Sequence, residues 1–371
     1  MNFTINRDIL SQNLNYVSKA LSNKIQMPGL TGILFQVYKK QIILTASNNE
    51  ISIQVKIKEK FNVIDEGEFL VQGKYLIEII KKLSSSEVDF MTFEENTVKI
   101  LAGKSVFTLN CLQLESFPMI SFDDSNINFT LDAINLKQII RKTVFAISNN
   151  ESRVVLTGVS LKTKNNLVEV TATDSYRLAR KKLQFDYEFP EVNIVIPGKS
   201  FEELNKILEE NQQVVEIHCS SAKILFKIGD ILFQSRLIEG VFPKIDSLIP
   251  SKYLNTIKLK KEELISVIER VSIFVSNELS NIIKLSINEN GVIEFASISN
   301  ELGAAREEVQ TVSSNINAQM QIAFSSKYFL EALRSFDSEE VEVNFTGEIK
   351  PFTVTSDKDV NLIQLILPVR A

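Results

Sequence analysis

The chain has no tryptophan, one histidine, two cysteines and only 12 glycines in 371 residues. Each scarcity removes a class of function. A single histidine leaves nucleophilic triads without their usual base and acid–base catalysis without its commonest player. That residue, His218, lies in Val214-Val215-Glu216-Ile217-His218-Cys219, an alternating strand pattern. Its neighbour Cys219 suggests half a metal site, but no second His/Cys pair exists to complete four ligands, so no metal and no cofactor are expected. The phosphate-cradling loops GxxxxGK[ST] and GxGxxG are missing, as is HExxH. No apolar run approaches the roughly 20 residues of a membrane span. The start, Met1-Asn2-Phe3-Thr4-Ile5-Asn6-Arg7-Asp8, lacks a basic segment followed by an apolar one, so neither export nor membrane association is expected.

What the chain has is repetition. Leu30-Thr31-Gly32 and Thr45-Ala46-Ser47-Asn48 return as Leu156-Thr157-Gly158 and Thr171-Ala172-Thr173-Asp174, both shifted by 126 residues. Gly73-Lys74-Tyr75-Leu76 returns as Gly198-Lys199-Ser200-Phe201 and again as Ser326-Lys327-Tyr328-Phe329. Phe117-Pro118 matches Phe242-Pro243 after 125 residues, and another 125 reaches Pro368. A solenoid unit would be about 20–50 residues; these copies are large enough for a core each. Three domains follow, 1–124, 125–251 and 252–371. Cys111 and Cys219 do not occupy matching positions in the copies, which argues against a disulfide framework and for a reducing, cytoplasmic setting.

Each copy repeats one plan twice: a short strand, a helix, then three strands. Copy one opens with Phe3-Thr4-Ile5, a cap at Asn6, and apolar Ile9, Leu10, Leu14, Val17 and Leu21 at helical spacing. Copy two offers Asp132 as cap before Leu136, Ile139, Ile140 and Val144; copy three offers only Lys260, a poor cap, before Leu264, Ile265, Ile268 and Val271. Strands are expected over 32–37, 41–46 and 51–56, with equivalents at 158–163, 168–173 and 177–183. The whole predicts an α+β fold of six short helices and about two dozen strands, with helices on one face and antiparallel sheets on the other.

The net charge of −5 argues at first against a nucleic-acid partner. Its distribution argues the other way. The six helical windows 7–21, 74–83, 133–147, 199–208, 261–275 and 327–336 hold 14 basic and 8 acidic residues, leaving the remainder at −11. The bias is clear in copies one and two and absent or slight in copy three. Helices of similar copies on one side can form a positive surface for phosphates. No motif for reading base edges is present, so such contact is backbone-directed and sequence-independent.

Several local motifs now add up. Thr171-Ala172-Thr173-Asp174-Ser175-Tyr176-Arg177-Leu178-Ala179, Val241-Phe242-Pro243-Lys244-Ile245 and Ile366-Leu367-Pro368-Val369-Arg370-Ala371, with the three-copy plan, resemble the bacterial DNA polymerase III beta subunit family, the β sliding clamps. The resemblance spans the full length. It implies a non-enzymatic processivity factor: two chains closing head to tail into a ring of six domains, helices lining a hole that holds double-stranded DNA, sheets outside. Its implied partners are a second copy, DNA, the replicative polymerase, a clamp loader and other proteins carrying short clamp-binding peptides.

Residue by residue, the resemblance implies a peptide pocket from Leu156, Thr173, Ser175, Tyr176, Arg177, Leu178, Pro243, Leu248, Leu367, Pro368, Val369 and Arg370. Ser175 stands where many relatives have glycine, and Ser247 where some carry arginine, which puts peptide preference in question. Lys24, Lys74, Arg153 and Lys199 match DNA-facing positions. Phe107 and Leu109 of copy one are expected to meet Phe274 and Val275 of copy three at the subunit joint. Two other readings compete. One is a peptide-binding scaffold of the same fold that does not encircle DNA. The other is an enzyme using Asp174, Tyr176 and Arg177, disfavoured because copy one carries Asn48 at the position of Asp174.

Overall fold

A computed structural model describes residues 1–22, 27–93, 96–122, 127–211, 213–275 and 281–369. Among these are six α-helices, α1 (Arg7–Val17), α2 (Gly73–Lys82), α3 (Ala133–Thr143), α4 (Gly198–Asn205), α5 (Lys261–Val271) and α6 (Ser326–Arg334), and 24 strands. Strand pairs are antiparallel throughout, each copy giving two strand–helix–strand runs.

Local chemistry sets the helix starts. The Asn6 carboxamide oxygen accepts from the amides of Asp8 and Ile9, capping α1. Lys260 makes no side-chain cap at α5, where Glu262 and Glu263 in the first turn complement the helix dipole instead. Gly198 opens α4 because Ile147 is packed where a side chain would be: a Cβ there would lie 2.2 Å from Ile147 Cδ1.

The chain forms two compact units. The first, Met1–Lys137 with Lys199–Leu237, is built on one 13-stranded sheet. Its core stacks Phe3 on Phe90 (4.9 Å between centroids) and Phe35 on Phe69 (4.5 Å), rings that fill the space a tryptophan-free core would otherwise leave. The strand Ile51–Ile57 of copy one pairs directly with Ile231–Arg236 of copy two, so the sheet runs on across the domain junction.

The second unit, Gln138–Gly198 with Ile238–Ala371, holds sheets of seven and four strands. Here Arg177–Pro197 of copy two pairs with Leu362–Ile366 of copy three, the same kind of junction. Phe324, Phe329, Phe345 and Phe352 centre the core of copy three. The expected strands 158–163 and 168–173 are one continuous strand, Gly158–Thr173. Asn165, at φ 52°, and register shifts on both sides of it mark the expected turn, absorbed as an irregularity within the strand.

Candidate functional site

The Thr171–Ala179 motif forms a tight turn between two strands. Asp174 holds it: one carboxylate oxygen accepts from the amides of Tyr176 and Arg177 (2.9 Å each), the other from Arg177 Nε at 3.0 Å. Thr173 Oγ1 donates to the Arg177 carbonyl at 2.6 Å and accepts from the Ser175 amide. Ser175 sits at φ 78°, in the left-handed region that favours glycine. The turn leaves Tyr176 63% exposed.

Arg177, 8% exposed, spends much of its guanidinium inside the protein. Beyond Asp174 it donates to Glu331 and, at 2.6 Å, to the Phe145 carbonyl, with its guanidinium 4.4 Å from the Tyr328 ring centroid. It therefore ties copy two to helix α6 of copy three and orients the wall of the cavity it lines. Burial, and then the Asp174 charge, push the Tyr328 phenol above its ordinary value, so it stays neutral.

Below the turn lies an apolar cluster of Leu156, Leu178, Val195, Phe242, Ile245 and Leu365, with Val155, Ile238, Ile249 and Leu367 packed against it. The C-terminal tail is tied across it: the Leu367 amide donates to the Tyr176 carbonyl (2.9 Å) and the Val369 amide to the Ala323 carbonyl (2.8 Å). Pro243, Leu248 and Val369 are exposed around it, and Pro368 is half-buried. A cavity of about 400 Å³ opens beside Leu156, between Tyr176, Tyr328, Arg153 and Lys327. A greasy floor with a few polar groups above it suits a short peptide.

The structure thus brings Leu156, Thr173, Ser175, Tyr176, Arg177, Leu178 and Leu367 together; Arg370 lies outside the described residues. Phe242, Ile245, Val195 and Leu365 were not anticipated in the floor. The repeated Phe-Pro pair was the available signal for Phe242; strand residues such as Val195 carry none beyond ordinary core patterning.

The chain matches three consecutive families: DNA polymerase III beta subunit, N-terminal domain, over residues 1–121; central domain, over 130–244; and C-terminal domain, over 246–370. It belongs to the DNA polymerase III beta subunit family. It is 38% identical to the beta sliding clamp of Staphylococcus aureus (strain Mu50 / ATCC 700699), covering 100% of this chain and 99% of that protein. Its fold is similar to the Bacillus subtilis DNA polymerase sliding clamp, at TM-score 0.95 and 35% identity over 100% and 99% of the two chains. The Streptococcus pneumoniae TIGR4 DNA polymerase III beta chain gives TM-score 0.95 and 32% identity over the whole of both. The chain is a DNA sliding clamp, and its three-domain clamp fold is the one the sequence implied.

The remaining expected residues separate. Lys74 and Lys199 are exposed at the first turns of α2 and α4. Arg153, expected toward DNA, is exposed and lines the cavity, and so does Lys327, which occupies in copy three the repeat position of Lys74 and Lys199. Lys24 lies outside the described residues. Phe107 is 37% exposed and Leu109 half-buried, whereas Val275 is 1% exposed within the core of copy three and packs inside its own domain. Phe274 is half-buried beside Gly303.

One helical cation contradicts the simple charge count. Lys142 is 0% exposed and spent on Asp359 and on Asp337 (2.8 Å), because α3 buries that face. Lys74, Lys81, Lys82 and Lys199 are exposed and form no ion pair among the described residues.

Proposed function

We propose that this clamp works as a closed head-to-tail homodimer of domains 1–124, 125–251 and 252–371, encircling duplex DNA and holding the polymerase and other partners by peptides in the Leu156–Tyr176 cavity. One observation carries the ring. Two junctions within the chain are made alike, by strand 51–57 on strand 231–236 and by strand 177–197 on strand 362–366. The corresponding strands left over, Ser105–Leu112 of copy one and Gly303–Val309 of copy three, each have an edge that is unpaired along most of its length among the described residues. Unpaired edges invite pairing, and joining each to the other in a second copy repeats the internal junction twice and closes a two-fold assembly.

The internal registers predict the external one. Ile51 and Ile53 face Ser235 and Phe233. Matching cross-strand partners places Gly303 and Ala305 at the positions of Ile51 and Ile53, and Leu109 and Phe107 at those of Ser235 and Phe233. Phe107 of one copy then lies over the small Ala305 of the other, near Phe274, and Thr108 lies opposite Ala304. Val106, Ile273, Ile298 and Leu302, all more than 60% exposed on or beside these edges, gain cover in the joint.

The exposed lysines of α2 and α4 supply weak, salt-screened attraction to phosphates, which is what sliding requires. No reaction is assigned to the chain: the Asp174 carboxylate, central to the enzymatic reading, is consumed by the turn. A cytoplasmic location follows from work on DNA. Light scattering over a dilution series tests the assembly. A particle of about twice the 42.0 kDa chain is expected; a monomer at micromolar concentration returns the reading to a scaffold that does not encircle DNA.

A further inference from the structure

We infer that Lys142, which does not line the peptide cavity, is a positioning residue for it: together with Asp359 and Gln364 it fixes the register of the last strand, Leu362–Ile366, and so places Leu365 and Leu367 in the floor. The inference rests on the peptide-site reading above and concerns what holds that site in shape.

The last strand does not choose its own register. Leu362, Ile363, Leu365 and Ile366 are apolar, and only Gln364 is polar. Side chains alternate between the two faces of a strand. Leu362 and Ile366 enter the core of copy three, while Leu365, with Leu367 beyond it, joins the apolar floor. A slip by one residue exchanges these faces and still offers leucine and isoleucine to both, so apolar burial specifies the register weakly. Buried polar groups discriminate, because each must keep its partners.

Those groups converge on the end of α3. The Lys142 ammonium is fully buried and pairs with Asp359 and, at 2.8 Å, with Asp337. Asp359, 5% exposed, also accepts from the amides of Asp337 (3.0 Å) and Ser338 (3.1 Å), and its carbonyl accepts from the Leu362 amide at 3.1 Å. Gln364 Nε2 donates to the Lys142 carbonyl at 3.1 Å and to Ser335 Oγ at 2.9 Å. One residue of α3 therefore anchors the turn before the strand by its side chain and the middle of the strand by its carbonyl. Without the ammonium, Asp359 is a buried carboxylate that has lost its counter-charge, and the turn must shift to hydrate it. The segment from Asp359 to Leu367 is short and largely extended, so that shift reaches the floor.

The test uses the full chain with Lys142→Met, Asp359→Asn and the double variant, each shown to be folded by circular dichroism. One readout is hydrogen exchange at the Leu367 and Val369 amides, which bond to the Tyr176 and Ala323 carbonyls. The other is fluorescence anisotropy of a labelled, amidated hexapeptide of alternating serine and leucine. In Lys142→Met the two amides should exchange roughly tenfold faster, and the peptide should bind roughly tenfold more weakly. The double variant should lose no more than Lys142→Met alone, since the pair acts as one unit. Leu10→Ala opens a cavity in the core of copy one and lowers stability, but should leave both readouts at wild-type values. Should Lys142→Met not fold, Gln364→Leu keeps the ion pair, removes the strand's polar anchor, and is expected to show the same two changes. Unchanged tail exchange and affinity in a folded Lys142→Met or Gln364→Leu overturn the inference, as does an equal loss in Leu10→Ala. Failure of the peptide to bind the wild-type chain overturns the peptide-site reading itself, and the inference with it.

Discussion

At the residue scale the site is built by side chains that serve the backbone. Ser175 is the clearest case: at φ 78° it bears a Cβ in the left-handed region, where such residues cost about 1 kcal/mol or more. Ser175→Gly is therefore expected to raise stability by about 1 kcal/mol in urea unfolding, with peptide affinity reporting whether turn geometry is kept; a loss of stability would show that the hydroxyl contributes more than the strain costs. Asp359 makes a second prediction. Burial alone would raise its pKa, but Lys142 and the amides of Ser338 and Asp337 outweigh that and hold the carboxyl below its ordinary 3.8. Its folded form binds protons less readily than the unfolded chain. The stability it lends is complete above about pH 4 and is lost as pH falls through the lowered folded value. Asp359→Asn should cost about 3 kcal/mol at neutral pH, since it weakens the pairing of a fully buried ammonium, and should flatten the acid limb of the stability profile. An unchanged acid limb would show that Asp359 does not set it.

At the scale of elements, most of the helices and strands were legible because each copy states its pattern anew. Apolar spacing of three and four located the six helices, and Asn6 and Lys260 behaved as the good and poor caps their chemistry dictates. The continuous strand Gly158–Thr173 was not legible, since a polar Lys164-Asn165-Asn166 stretch reads as a loop whether or not the chain stays extended through it. Nor was the burial of Lys142, because a lysine on a helix gives no sign that two aspartates far along the chain, Asp337 and Asp359, will enclose it. Arg177 is expected in the pocket from its motif, but its burial against Phe145, Glu331 and Tyr328 depends on contacts that no local pattern encodes. The leftover strands make the test at this scale. In Thr108→Cys/Ala304→Cys the two thiols of neighbouring copies should fall opposite one another, at a Cα separation of about 4.5–5.5 Å that a disulfide can span. Mild oxidation should give a covalent dimer in high yield, whereas Thr108→Cys/Arg306→Cys, two residues out of register, should cross-link far less. Equal yields from both would refute the register.

At the scale of the whole molecule, the repeat is the source of function. The chain has one histidine and no nucleotide-binding loop motif. Three copies joined by the same strand pairing have a ready means of assembly, since the joint made twice inside the chain can be made again between chains. The distribution of charge suits that role: exposed lysines on α2 and α4 within an acidic protein give attraction without a specific grip. Retention then comes from topology. The most direct measurement is to oxidise Thr108→Cys/Ala304→Cys in the presence of nicked circular DNA and follow the protein by gel filtration at high salt. A fraction of the cross-linked protein is expected to stay with the circle in salt that screens phosphate contacts, and to be released when the DNA is cut once to a linear form. Cross-linked protein that leaves the circle in high salt as readily as it leaves linear DNA would contradict the encircling ring.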